Sequence, residues 1–291
     1  MNATIHDPIL PKKAATINDL TGFGRCSLAV VLPVINALGV QACPIPTSVF
    51  SSHMAFPSYY YKDLSDGLAP WLKEYEQMNL LFDGIYCGFI NSSRQFPHLE
   101  QFMESQREKG CSVILIDPVL GDNGTRYRLV TEELCLRMKQ FIAQATILTP
   151  NLTEACLLTD TPWQAEADQP DFLYELMEKL LCMGPSRAVI TGIPHKGQIL
   201  NYCGEKTAHG LSVFSCETSS NGESRPGTGD LFAAILLADA VNQKPFADSV
   251  RKATDFIRLC VNASATAHIP IREGVLFETY LPELWRQGNE Q

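Results

Sequence analysis

The segment Arg225-Pro-Gly-Thr-Gly-Asp230 brings together residue types that can do chemistry jointly. It follows a Ser/Asn/Gly-rich stretch, Thr218–Ser224, and opens directly into the apolar run Leu-Phe-Ala-Ala-Ile-Leu-Leu-Ala. Gly227 and Gly229 flank Thr228 and let backbone N–H groups come close to a ligand at the positive end of a helix dipole. This predicts an anion hole for a phosphoryl group in transfer. Asp230 falls in the first turn of the same helix. A carboxylate there is badly placed to bind phosphate and well placed to take a proton from an attacking alcohol. The same four residues also satisfy a plain glycine-rich helix start with an acidic first turn, and spacing alone leaves both readings open. No G-x-x-x-x-G-K-[ST] loop, and no G-x-G-x-x-G after the first strand, offers a competing phosphate site.

The elements that must position this segment alternate along the chain. Strand-like runs are expected at 14–18, 41–49, 82–87, 112–116, 146–148, 188–191, 198–202 and 211–216. Helical periodicity is expected at 27–38, 68–78, 96–109, 131–143, 152–158 and 172–183, and two helices, 231–241 and 247–265, finish the chain. Pro44 and Pro46 suit an edge or a bend better than a central strand. Continuous apolar strands separated by helices predict an α/β fold with a central, mostly parallel sheet covered on both faces, whose ligands sit beyond the carboxyl ends of the strands. There is no internal repeat or low-complexity linker.

The 291 residues are 45% hydrophobic and 19% charged, as expected for one globular domain of residues 14–291 after a loose tail, 1–13. A net charge of −9 disfavours nucleic-acid binding. The ten cysteines are scattered through apolar runs without a C-x-x-C pair, which reads as reduced, mostly buried thiols in a cytoplasmic protein. The tail lacks the pattern of a secretory leader, and the longest apolar stretch is far short of the ~20 residues that span a bilayer, so no membrane partner is expected.

Four ordered segments, spread over a resemblance that runs from about residue 14 to the last helices, carry a family likeness. Gly227-Thr228-Gly229-Asp230 resembles the signature of the ribokinase-like superfamily, in particular its pyridoxal kinase branch. Asp117-Pro-Val-Leu-Gly-Asp122, Thr149-Pro-Asn-Leu-Thr-Glu154 and Thr47-Ser-Val-Phe-Ser-Ser-His53 are similar to further segments of that branch, in the right order. The resemblance implies a single ribokinase-like domain with a small flap, and ATP-dependent phosphorylation of the 5′-hydroxymethyl group of a B6 vitamer by a homodimer. It implies Asp230 as base, Gly227, Thr228 and Gly229 around the transferring phosphoryl, and Asn151 and Glu154 near the phosphates and Mg²⁺. Asp117, Asp122 and Thr149 match positions that hold a monovalent cation, K⁺, or order the metal site. Thr191 matches a nucleotide contact, and Thr47 belongs to the substrate side. Oxygen donors at loop starts suit hard cations on chemical grounds as well. Asn151 equally suits a helix cap, and Gly121–Gly124 an ordinary turn.

Two positions depart from the branch. Asp19, in Asn18-Asp19-Leu-Thr-Gly-Phe-Gly24, stands where the branch has a substrate-contacting serine, and Phe89 stands where it often has tyrosine. Asp19 could accept a hydrogen bond from the vitamer's 3-hydroxyl or ring nitrogen, and Phe89 keeps the means to stack. Arg225 could reach a phosphate or lie solvated on a flap; His53 and the cluster Phe56–Tyr61 could line a lid or an interface. Two alternatives remain: a hydroxymethylpyrimidine (phosphate) kinase of the same fold, in which cysteine commonly replaces the base, and a non-catalytic vitamer-binding protein.

Overall fold

The run Val113–Ile116 has no polar face, and in the computed structural model, which describes residues 10–164 and 168–289, it lies inside a nine-stranded sheet. The strands and helices, in chain order, are β1 (Lys13–Phe23), α1 (Leu28–Ala37), β2 (Gln41–Ser52), β3 (Tyr61–Asp63), α2 (Ser65–Gln77), β4 (Gly84–Cys87), α3 (Phe96–Glu108), β5 (Val113–Ile116), β6 (Gly121–Asp122) and β7 (Thr125–Arg126). They continue with α4 (Glu132–Phe141), β8 (Ile147–Leu148), α5 (Leu152–Thr159), α6 (Pro170–Cys182), β9 (Arg187–His195), β10 (Gln198–Thr207), β11 (Gly210–Ser219), α7 (Thr228–Val241), α8 (Phe246–Thr266) and α9 (Leu281–Asn289). The sheet order is β11-β10-β9-β8-β5-β4-β1-β2-β3, parallel from β9 through to β2, with β10 and β11 antiparallel at one end and β3 at the other.

Successive residues of the central strands feed opposite faces, as the pleat requires. Ile85 and Cys87, Ile114 and Ile116, and Ala188 and Ile190 pack with α2–α6; Tyr86, Leu115 and Val189 pack with α1, α7, α8 and α9. A two-sided core explains why these strands read as unbroken apolar runs.

Several elements differ in extent from those expected. β1 runs on through the expected first loop to Phe23. The expected tail ends earlier: Lys13 opens β1, and residues 1–9 lie outside the described part. β2 is an edge over the proline-bearing residues 41–47, because β3 pairs only with Ser48–Phe50, so Pro44 and Pro46 have a strand neighbour, β1, on one side only. A third C-terminal helix, α9, follows the two expected.

Two irregularities shape the carboxyl edge. Between the pairs Asn18–Pro46 and Leu20–Val49, β2 carries one extra residue; between Leu200–Ile193 and Tyr202–Ile190, β9 does the same. The β9 bulge contains Thr191 and Gly192, the latter at φ +71°, and the buried Asn201 side chain accepts the Gly192 N–H at 3.0 Å.

Candidate active site

α7 begins at Gly227, in the left-handed region (φ +86°), with no side chain capping its first N–H groups. Those amides are therefore free to face the cleft, of about 680 Å³, lined by Gly227, Thr228, Gly229 and Asp230. From Leu231 to Asp239 every residue of α7 is buried. The Thr228 hydroxyl is turned inward and donates to the Arg225 carbonyl at 3.1 Å.

Asp230 is half-buried in the first turn. Its Oδ2 accepts the Ser27 backbone N–H at 2.7 Å; its Oδ1 accepts the Asn18 amide at 3.2 Å and the Tyr86 hydroxyl at 3.3 Å. Burial raises its pKa to about 6 against the opposing Ser27 N–H, and the charge of Asp19 pushes the same way. A carboxylate ionised at neutral pH, but only moderately far from its titration point, suits a general base.

Asn18 is the pivot of this corner. Its Oδ1 accepts the N–H groups of Asp19 and Phe89 at 2.9 and 2.8 Å while its amide reaches Asp230. Asp19 is buried in the cleft wall, its two oxygens accepting from the Ser27 and Thr21 hydroxyls at 2.6 and 2.9 Å. Burial raises its pKa, partly offset by those hydrogen bonds. Phe89, Phe50, Met54 and Val119 give the same end of the cleft apolar walls. Thr47 lies behind this wall rather than in it: its hydroxyl is spent on the Phe89 carbonyl at 2.9 Å, which places it as a support for Phe89.

The acidic segments converge from β5 and β8. Asp117 follows β5 and accepts the Thr149 hydroxyl at 3.1 Å. Glu154, in the first turn of α5, accepts the Leu120 and Asn151 N–H groups at 3.0 and 2.8 Å. The Asn151 side chain caps α5 by accepting the Glu154 N–H and holds the β6–β7 hairpin by donating to the Gly121 carbonyl, so the cap reading and the cleft position are both realised. Burial raises the pKa values of Asp117 and Glu154; for Asp117 the next cause is the charge of Asp230, and for Glu154 it is Asp117. Asp122 sits in the β6–β7 hairpin, where it accepts the Asn123 N–H at 2.8 Å, and it lines the cleft. Thr191 is paired with Asn151 across the β9 edge.

Among the described residues no three acidic, imidazole or thiol side chains form a metal cage. The donor set nonetheless fits a hard cation carried mainly by phosphate oxygens and water, with one or two protein carboxylates: Asp117 is repelled by Asp230 and repels Glu154, and a cation among them relieves that.

The sequence profile of the phosphomethylpyrimidine kinase family matches residues 78–272. The chain belongs to the phosphomethylpyrimidine kinase family. Among solved structures, one described as a phosphomethylpyrimidine kinase from Bacteroides thetaiotaomicron is 33% identical, with a TM-score of 0.89 over 94% of each chain. A second crystal form of that protein, containing pyridoxal, has a TM-score of 0.87 over 94% of this chain and 96% of that one. The pyridoxal kinase of Lactobacillus plantarum is 27% identical with a TM-score of 0.86, over 97% of this chain and 99% of that one. The pyridoxine/pyridoxal/pyridoxamine kinase of Bordetella avium is 29% identical over 74% of this chain and 73% of its own length; for a Schizosaccharomyces pombe relative the chain spans 57% of that protein.

Three cleft features of this family member escaped the sequence reading. The Ser27 N–H is backbone and carries no residue signal. Tyr86 sits in an apolar strand and looks like core. Trp163 and Tyr127 line the far wall from loops without periodicity. Arg225 does neither of the two things its sequence position allows: its side chain is 2% exposed and its guanidinium is engaged by Glu223, Ile269 and Gly274.

Proposed function

We propose that this protein transfers the γ-phosphoryl group of ATP to the 5′-hydroxymethyl group of a B6 vitamer. The observation that carries the reading is Asp230, held by three donors at the start of α7, beside uncapped helix N–H groups and in one cleft with an aromatic-walled end. Relatives named for B6 vitamers, and one holding pyridoxal, support the choice of ring.

In this reading the alcohol lies between Asp230 and the amides of Gly227–Gly229. Asp230 takes its proton as the O–P bond forms, and the amides stabilise the charge that gathers on the phosphoryl oxygens. Asn151 and Thr191 face the nucleotide phosphates. Mg²⁺ would be held near Asp117 and Glu154 and would neutralise phosphate charge; Asp122 and Thr149 order that corner and the monovalent cation, K⁺. The protein acts as a cytoplasmic homodimer. Among the described residues no helix is long and apolar enough to cross a membrane.

The second reading, phosphorylation of a hydroxymethylpyrimidine, follows from the family profile itself. Purified protein assayed with ATP and Mg²⁺ against pyridoxal, pyridoxine, pyridoxamine and hydroxymethylpyrimidine separates the two. Turnover of at least one vitamer is expected, and faster turnover with K⁺; product from the pyrimidine alone would replace the vitamer reading.

Asp19 sets the polar side of the ring end and reaches Asp230 through Ser27, which bonds to both. Asp19→Ala is expected to weaken vitamer binding by ~1.5–3 kcal/mol while ATP binding changes far less, since that is the usual worth of a hydrogen bond to a buried charge. Calorimetric titration of both ligands checks it. Equal losses would remove Asp19 from the substrate pocket.

A further inference from the structure

Arg225 immediately precedes the glycine turn and lines the cleft, yet its guanidinium is engaged by protein groups. Nη1 donates to the carbonyls of Ile269 and Gly274 at 3.0 and 3.2 Å, and Nε and Nη2 meet Glu223 at 2.8 and 2.6 Å. The two carbonyls belong to the segment 269–278, between α8 and α9. That segment also holds the other two loops at this corner. Its Glu273 carbonyl accepts the Arg25 N–H at 3.1 Å, and Glu278 pairs with the Arg25 side chain at 2.6 Å. Its Arg272 carbonyl lies 2.8 Å from His53 Nε2, and the Arg272 guanidinium covers the Phe56 ring at 5.8 Å.

The three backbones touch. A side-chain carbon on Gly274 would lie 2.7 Å from the Arg25 carbonyl oxygen and 3.0 Å from that of Pro226; one on Gly227 would lie 2.1 Å from Arg25 O. The residues after Arg25 are Cys26 and Ser27, whose N–H holds Asp230. Segment 269–278 thus reaches the anion hole through Arg225, the amide that holds the base through Arg25, and the ring-end loop through His53 and Phe56.

We propose that Arg225 is a positioning residue: its forked guanidinium fixes the loop Pro226–Gly229 against segment 269–278, and so sets where the anion-hole amides stand relative to Asp230. The inference takes over the reading that Gly227–Gly229 receive a phosphoryl group, though not the identity of the acceptor. It gives a role to a residue whose neighbours in sequence suggest phosphate contact. A direct phosphate ligand and a positioning fork differ in what lysine can replace: lysine keeps the charge, but its single ammonium cannot span two carbonyls and a carboxylate in one plane.

The test uses Arg225→Lys and Arg225→Ala in the full chain. Three quantities are read: kcat at saturating substrates, affinity for a non-hydrolysable ATP analogue by calorimetry, and melting temperature. Arg225→Lys is expected to fold, to bind the analogue roughly fivefold more weakly, as one displaced hydrogen bond would cause, and to lose ~10–10² in kcat through misplacement of the amides. Guanidinium ion at low millimolar concentration is expected to restore part of the Arg225→Ala rate without restoring the lysine variant. Wild-type kcat and analogue affinity in Arg225→Lys would overturn the proposal, as would a lowered melting temperature with an unchanged rate per folded molecule. If Arg225→Ala does not fold, the lysine variant decides alone. A wild-type protein that phosphorylates no vitamer would sink the substrate reading instead, and the analogue affinities would still report on the loop.

Discussion

Asp230→Asn is expected to fold, bind ATP and vitamer nearly as the wild type does, and lose ~10²–10⁴ in kcat, the usual contribution of a well-placed base. The asparagine keeps the shape, and its carbonyl can still accept from Ser27 N–H, the shortest of the three bonds at 2.7 Å. Stability moves the other way. The wild-type carboxyl titrates near 6 in the folded protein, above its ordinary 3.8, so burying its charge opposes folding. That penalty is absent below the ordinary value, grows as the pH rises from there to about 6, and is complete at neutral pH, where it amounts to at most about 3 kcal/mol. The ligand-free variant should therefore melt at or above the wild-type temperature at pH 7.5, with the advantage fading as the pH falls towards 4. The wild-type kcat/KM should fall on the acid side with a limb near pH 6, shared with the neighbouring Asp117. Melting curves and pH–rate profiles on the one pair of proteins test all of this. A well-folded variant that keeps its turnover would end the role of Asp230 as base.

Gly227→Ala should be nearly as damaging, for a different reason. Alanine at φ +86° is strained in any surroundings, and its Cβ would start 2.1 Å from a backbone oxygen that has nowhere to go, because Gly274 packs against the same Arg25 carbonyl. The strain alone costs ~1–3 kcal/mol. Relief requires the helix start to move, and a displacement of about 1 Å at a reacting centre costs ~10² in rate. A lower melting temperature together with a kcat loss of that order, measured in the cold where the variant is folded, is the expected result. Normal turnover would mean that the N–H groups of this turn do not act on the phosphoryl group.

The readings that held were those whose signal is local. G-T-G-D announces a helix start because glycine freedom and an apolar run are adjacent in the chain; the helix opens at Thr228, a turn earlier than the apolar residues alone indicate. The central strands stand out because both of their faces are buried. The β6–β7 hairpin was legible only as a turn at Gly121–Gly124: its two pairs of residues, Gly121–Asp122 and Thr125–Arg126, are too short to show a period. β10 and β11 run to ten residues each, well past their apolar stretches, since antiparallel pairing at the end of a sheet tolerates polar residues on its open face. Contacts between distant segments left no trace: Asn18 with Asp230, Thr47 with Phe89, Arg225 with Ile269 and Gly274. Residue type names what a side chain can donate; only the fold names the recipient.

Since α7 has no solvent face along Leu231–Asp239, the end of the cleft at its start cannot be moved without disturbing the core. The opposite end is drawn from several separate segments, Asp19, Met54, Phe89 and their neighbours, so that one wall residue can change without displacing a whole helix. The molecule is thereby divided into a conservative half and an inventive one. Gene duplicates could trade one heteroaromatic alcohol for another by editing a handful of codons at the ring end, inheriting the transfer chemistry unchanged. A designer seeking a kinase for a new hydroxymethyl compound should begin at those same positions.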